Sequence, residues 1–225
     1  MEQRHANTST PVSARRTIEL RTADLWARRG TQADGFEVSI GLGSVQWAPL
    51  LVDSGRHRAG TTDGDLGTTS MLGDLPLVAD IGVACRLAVR GDAERTDAVL
   101  RSVVVQLIAN CGPADLRIVV VTHEPTRWRW LQPLPHAPTA SGVVAVVAES
   151  ALSDCVAESD IAPHPHLVVI TDAPDLLTAR TSPLRRVVNS DRSTALIVLV
   201  GADGGIPHVC SSLLDVCGPV FARWH

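Results

Sequence analysis

The sequence predicts a three-layer α/β sandwich built on a mostly parallel sheet, preceded by a small β extension. Three observations predict it. Short apolar runs recur from residue 75 onward, at 85–90 (CRLAVR), 116–121 (LRIVVV), 143–148 (VVAVVA), 167–171 (LVVIT) and 195–200 (ALIVLV). They are continuous, not alternating, so each strand is covered on both faces, as in a parallel sheet. Between the first two runs, residues 93–110 place Val99, Leu100, Val103, Val104, Leu107 and Ile108 at helical spacing, and Asn110-Cys111-Gly112-Pro113 is a helix stop. Finally, a chain of 225 residues with 45% hydrophobic content can bury one sizeable core.

Upstream of that core the signals are weaker. Residues 1–16 are polar and read as a disordered tail. Residues 17–29 carry Ile18, Thr22, Leu25 and Trp26 on one helical face and predict a short helix. Phe36–Ile40 and Val45–Val52 read as two strands joined by a tight turn at Gly41 and Gly43. Residues 54–70 are rich in Gly, Thr, Ser and Asp and read as an exposed loop. The chain therefore divides into a tail (1–16), a helix with a β-hairpin and loop (17–74) and the α/β domain (75–225).

Composition excludes several function classes. Formal net charge is -4, and all 20 basic residues are arginines scattered along the chain, so there is no footprint for direct nucleic-acid contact. No apolar stretch approaches the length of a membrane span and no signal peptide is visible, so the chain is expected in the cytoplasm, reaching a membrane only through partners. Five cysteines, an odd number, four of them in or beside apolar runs, predict buried free thiols in a reducing compartment. Cys210 and Cys217 are seven apart with no C-x-x-C, and His164 and His166 flank Pro165 without a third ligand at matching spacing, so no metal site is expected. A nucleophile elbow, G-x-S-x-G, is absent.

One junction nearly carries a known chemistry. A strand, a turn and a helix at 85–110 is where a P-loop would sit. Such a loop needs glycines so that backbone amides reach phosphates, a lysine for the outer phosphates and a Ser/Thr hydroxyl for magnesium. Here the turn reads Gly91-Asp92-Ala93-Glu94-Arg95-Thr96-Asp97, and the chain has no lysine at all. Asp92 and Glu94 would repel phosphate, and they suit the start of a helix instead. Downstream, His166-Leu-Val-Val-Ile-Thr-Asp172 has the shape of a Walker B strand ending on a magnesium-holding acid, but Ala173 stands where a glutamate would polarise water.

In combination these segments resemble the FtsK/SpoIIIE-like ATPase family, and within it the degenerate first module of the EccC-type ATPase of actinobacterial type VII secretion. The likeness is carried by Leu25-Trp26-Ala-Arg28-Arg29 with Phe36–Gly43, by Leu87–Gly91 with Leu100–Leu107, by Asp115–Val121 with Trp128–Leu131 and Leu134-Pro135-His136, and by Pro165–Asp172. It covers about residues 20–222. The resemblance implies a RecA/FtsK-like P-loop fold and, for the family, a membrane-anchored motor with several ATPase modules in series. Thr96 and Asp97 fall at the places of the lysine and hydroxyl residue and Ala173 at that of the glutamate, so only Asp172 matches an active module. The family's upstream membrane helices and its downstream intact modules have no counterpart, which leaves open a standalone pseudo-ATPase or a truncated gene product.

The expectation is thus a protein without enzymatic activity or cofactor: a module for assembly or regulation that contacts an FtsK/EccC-like motor or other secretion subunits. Residual nucleotide contacts, with ATP and magnesium, would fall to Gly91, Asp97 and Asp172. Protein contacts would fall to the Trp128/Trp130 pair, whose plainer role is core filling, and to Arg185 and Arg186, whose plainer role is a solvated helix end. The competing readings are a nucleotide sensor without hydrolysis, an enzyme of unrelated chemistry at the carboxyl ends of the strands, and DNA translocation, against which the charge argues.

Overall fold

The computed structural model describes residues 9–47, 70–136, 143–145, 152, 165–190, 194–216 and 222–224. Helix α1 (Pro11–Leu20) comes first, then strands β1 (Glu37–Trp47) and β2 (Ser70–Asp80). The α/β domain follows with β3 (Arg86–Gly91), α2 (Ala93–Asn110), β4 (Leu116–Thr122), β5 (Val143–Ala145), β6 (His166–Thr171), α3 (Pro183–Ser190), β7 (Thr194–Gly201), β8 (Ser212–Val216) and β9 (Ala222–Trp224). Two 3₁₀ turns, Pro125–Leu131 and Pro174–Leu177, sit just past the ends of β4 and β6.

The main sheet has the order β5-β4-β6-β7-β3-β8-β9. All its neighbours pair in parallel except β8 with β9. The expected α/β class is therefore what forms, and the continuous apolar runs have the reason given for them. Both faces of the central strands are buried: Leu87, Val89, Ile118, Val120, Val168, Ile170 and Ile197 pack on the side of α2, whereas Ala88, Val119, Val121, Val169, Leu196 and Val198 pack on the side of α3. Of the run at 143–148, residues 143–145 form β5 and the remainder lies outside the described residues.

The amino-terminal extension departs from the sequence expectation in three ways. Its helix runs over Pro11–Leu20, not 17–29. Thr10 caps it, with Pro11 in the first helical turn and a reciprocal bond between Thr10 and Ser13, a start signal stronger than the apolar spacing of the later residues. Residues 11–16 are thus helical, and residues 1–8 of the expected tail lie outside the described residues. The segment that looked helical by its apolar face has another task. It returns to the carboxyl end of α2, where the last carbonyls of a helix lack internal donors. The Trp26 indole N–H donates to Ile108 O at 3.0 Å, the Trp26 amide to Ala109 O at 2.9 Å and the Arg28 amide to Asn110 O at 3.0 Å. Trp26 adopts φ 60 to make both of its bonds, a conformation that is uncommon for a bulky side chain and is held here by the cap.

Second, the described parts of Phe36–Ile40 and Val45–Val52 are not two strands of a tight hairpin, and residues 48–52 lie outside the described residues. Residues 37–47 form one strand whose partner is β2, with Glu37 opposite Asp80 and Trp47 opposite Ser70. Gly41 and Gly43 do not turn the chain. The register shifts between Ser39 and Gly41 and again between Gly43 and Val45, so they sit at bulges. At Gly43 a Cβ would meet the half-buried Leu77 side chain at 2.7 Å, so a larger residue there would require Leu77 to move. Third, β2 runs across the expected boundary at 74/75, and of the expected loop at 54–70 only Ser70 is described, as the first residue of β2.

One side chain fastens this ribbon to the domain. Gln106 on α2 is fully buried and mimics a neighbouring strand: its Oε1 accepts from Ser39 N at 2.8 Å and its Nε2 donates to Ser39 O at 2.8 Å. Gln106→Leu keeps the volume and orphans both backbone groups, so unfolding by urea should show a loss of about 2 kcal/mol. Two histidines complete the seam. His166 Nε2 lies 2.8 Å from Ile81 O, with its ring 4.2 Å from that of Phe36. His136 Nε2 lies 2.8 Å from Cys111 O, and its buried Nδ1 finds no partner.

Burial lowers the His136 pKa below its ordinary 6.5, against the opposing pull of the Cys111 carbonyl. The folded chain therefore binds fewer protons than the unfolded one just below pH 6.5, and stability falls as pH drops through that window. His136→Gln, which keeps an amide donor for Cys111 O, is expected to flatten the dependence of urea midpoint on pH between 7 and 5.5. The described cysteines Cys85, Cys111 and Cys210 are unbridged; Cys111 is buried as expected and the other two are half-buried, and burial pushes each thiol up to about 11. Cys155 and Cys217 lie outside the described residues.

Candidate functional site at the carboxyl edge of the sheet

Open α/β sheets place ligands outside the carboxyl ends of their strands. At this edge β3, β4 and β6 deliver Asp92, the 125–131 turn and Asp172. The strand–helix junction that suggested a P-loop is not a loop. β3 ends at Gly91 and α2 begins at Ala93, so a single residue, Asp92, makes the connection. Asp92 is the N-cap, and its carboxylate accepts from Arg95 N at 3.0 Å. Thr96 is buried, and its hydroxyl donates to Asp92 O and Ala93 O, at 3.0 and 3.1 Å. Gly91 also has a packing explanation: a Cβ would lie 2.8 Å from Val216 O on the adjoining strand.

The geometry brings Asp97 and Asp172 together through a residue that the sequence reading did not single out. Arg127, in the turn after β4, donates from Nε to Asp97 Oδ2 at 3.2 Å and from a terminal nitrogen to Asp172 Oδ2 at 3.2 Å. Its other terminal nitrogen bonds Asp97 Oδ1. The guanidinium is 5.5 Å from the centre of the Trp128 ring. Trp128 Nε1 donates to the same Asp172 oxygen at 3.0 Å. The cluster is largely shielded: side-chain exposure is 25% for Arg127, 19% for Asp97 and 8% for Asp172. The hydrogen bond to Asp97 raises the Arg127 pKa, aided by the charges of Asp97, Asp172 and Glu124 and opposed by burial. A permanent cation thus sits between the first turn of α2 and the end of β6, with both acids engaged.

The remaining candidates do not join this cluster. Trp128 is 1% exposed and offers no surface of its own, while Trp130 is half-buried against the core, its ring 6.4 Å from that of Trp128. Arg185 and Arg186 lie on α3, across the sheet, where Leu184, Val187 and Val188 pack on the second core face. No signal in a lone sequence marked Arg127, because its partners are 30 and 45 residues away. The useful hint was its neighbour Trp128, already set beside the same turn. Among the described residues no group of histidines, cysteines and acids could hold a metal, and no helix is long and apolar enough to cross a membrane.

No family model matches the chain. Over 157 residues it is 29% identical to the ESX secretion system protein EccC of Thermomonospora curvata, a match covering 63% of this chain and 12% of that protein. Over 122 residues it is 29% identical to the ESX-4 secretion system protein EccC4 of Mycobacterium tuberculosis, covering 50% of this chain and 10% of that protein. The matched region is thus about a tenth of the length of these relatives. Solved structures that align with it include two at a TM-score of 0.42. The cytoplasmic domain of the Thermomonospora curvata type VII secretion ATPase EccC does so at 18% identity over 64% of this chain and 20% of that one. ATPases 2 and 3 of the same organism's EccC, in complex with a signal sequence peptide, do so at 17% identity over 62% of this chain and 31% of that one.

Proposed function

We propose, from the premise that this chain is related to the EccC ATPases of type VII secretion, that it is a non-catalytic module of such an apparatus, working by protein contacts in the cytoplasm. The observation that carries this reading is Arg127, which bridges Asp97 and Asp172. In a nucleotide-hydrolysing site the acid at the end of β6 would face magnesium and the start of α2 would face phosphate. Here one guanidinium engages both positions.

The residues at this edge do not fit an ATP–magnesium complex. A one-residue connection has no string of amides to wrap a triphosphate, and its residue is an acid already used as a cap. The acid that would hold magnesium is bonded to an arginine and an indole. Ala173 offers no carboxylate to activate water, and it is buried. No step of hydrolysis is therefore assigned to this chain.

The partners that fit this reading are an EccC- or FtsK-like motor or other subunits of the secretion complex. The surfaces this reading assigns to them are the outer edge of the half-buried Trp130 and Arg185 on α3. Affinity capture of the tagged chain from its native host, with a motor subunit identified by mass spectrometry and the contact remade from purified components, tests this. Retention of an EccC-like motor is the expected result. Failure of every motor and secretion subunit to bind the purified chain would sink the reading.

A further inference from the structure

Helix α1 packs on the domain with one face and presents the other to solvent. Ala14 is buried beneath it, and Ile18, one turn on, packs against the core on the α2 side. Helical geometry then puts Val12, Arg16 and Leu20, at i, i+4 and i+8, in one row on the opposite side. That row is roughly 12 Å long. Val12 is 78% exposed and Leu20 61%. A single exposed aliphatic residue is ordinary, but here two are aligned on one short helix with a cation between them. Arg16 is exposed, and so is Arg21, at the left-handed C-cap that ends the helix. Neither guanidinium has a hydrogen-bond or ion-pair partner among the described residues. Arg15, beside the row, pairs with Glu19 at 2.7 Å.

The row stands in a basic stretch of an acidic chain. Residues 9–30 hold five arginines against two acids, Glu19 and Asp24, a net charge of +3 where the whole chain has -4. Such asymmetry suits the end of a molecule that faces negative charge. The shape of the row narrows the partner. It is the convex back of a helix and offers no groove to a protein ridge. A planar anionic surface matches it without shape complementarity, because cations meet the headgroups while aliphatic tips enter the acyl boundary. An acidic protein would need two apolar pockets at the same separation. We propose that α1 is a peripheral lipid contact, docking on an anionic bilayer surface through Arg16, Arg21, Val12 and Leu20. The helix lies in the plane of the interface, since its ten residues are too few to span a bilayer. This contact is independent of the carboxyl edge of the sheet and of any motor subunit.

The full chain is mixed in low salt with sucrose-loaded vesicles of phosphatidylcholine, alone or with about 30% phosphatidylglycerol, and the pelleted fraction is measured against lipid concentration. Binding to the anionic vesicles is expected, with none to phosphatidylcholine alone, and salt at about 0.5 M should release the chain by screening. Each arginine near such a surface contributes about a fivefold factor in partitioning, so Arg16→Glu with Arg21→Asn should lower it at least about tenfold. Asparagine suits the left-handed C-cap. Val12→Gln with Leu20→Gln, which keeps every charge, should lower it at least about threefold. All four positions are exposed, so both variants are expected to keep the wild-type Tm. Arg180→Glu, at an exposed arginine ahead of α3, is the charge control and should change partitioning less than about twofold. No binding to the anionic vesicles at about 1 mM lipid overturns the proposal. So does equal binding to phosphatidylcholine, a loss with Arg180→Glu as large as with the α1 variants, or binding that either α1 variant leaves unchanged. Tighter binding to poly-L-glutamate than to vesicles of equal charge also overturns it and would assign the face to an acidic protein.

Discussion

Arg127→Ala is expected to lower the unfolding free energy by about 3 kcal/mol, because it leaves Asp172 without a cation in a shielded site and Asp97 with only Arg101, 4.0 Å away. For a chain of this size that corresponds to a fall in Tm of roughly 6–12 °C. Asp172, the more buried acid, keeps only the Trp128 indole as a donor. The loss is not a measure of what the bridge contributes against an apolar replacement, since burying ions has its own desolvation cost. The double variant Arg127→Met with Asp172→Asn removes that stranded charge and should recover more than half of the loss. Arg127→Lys should fall between, because an ammonium cannot hold both carboxylates through a planar fork. Adding the single variants Arg127→Met and Asp172→Asn completes a cycle, and urea titrations of its four members give the coupling. Equal stability of Arg127→Ala and wild type would mean that the cluster opens to water and that the site is not closed.

Trp128→Ala is expected to cost about 4 kcal/mol, the largest effect of any single change discussed for this chain. The side chain is 1% exposed, packs in the core on the α2 side of the sheet and donates to Asp172. Trp128→Phe retains most of the packing and loses the donor, and should cost about 1.5 kcal/mol. A ratio near one between the two losses would say that the hydrogen bond, not the packed ring, carries the effect. Calorimetric unfolding of both variants separates these outcomes. The plainer sequence reading of this tryptophan, as core, has its physical basis here: an indole seated under the 125–131 turn fills the gap between α2 and the sheet while its N–H reaches the strand end.

The α/β domain was legible because its signals are local. Residues 93–110 carry both the spacing and the stop of α2, and the helix spans those residues. The strands read as continuous apolar runs because the sheet buries both of their faces. The extension was less legible because its structure depends on distant partners. The apolar spacing of Ile18, Thr22, Leu25 and Trp26 looked helical, but Trp26 is set by the open carbonyls of a helix more than 80 residues away. Gly41 and Gly43 looked like a turn because glycine suits turns and bulges alike, and the strand that decides between them begins at Ser70. At the candidate site the acids were visible, and so was the capping role of Asp92 at the start of α2. The alignment of Thr96 and Asp97 with a phosphate-binding loop could not reveal that both residues are already inside the helix. Arg127 was invisible for the same reason as the Trp26 cap: its meaning lies in contacts across the fold.

The central claim, that the carboxyl edge of this sheet is closed by its own arginine and does no nucleotide chemistry, meets its most direct test in calorimetric titration of the wild-type chain with ATP and with ADP, each with and without magnesium. The account predicts no heat of binding and no rise in Tm at millimolar nucleotide. Micromolar binding would contradict it, because nucleotide and magnesium would then have displaced Arg127 from Asp97 and Asp172, and the chain would be a nucleotide sensor.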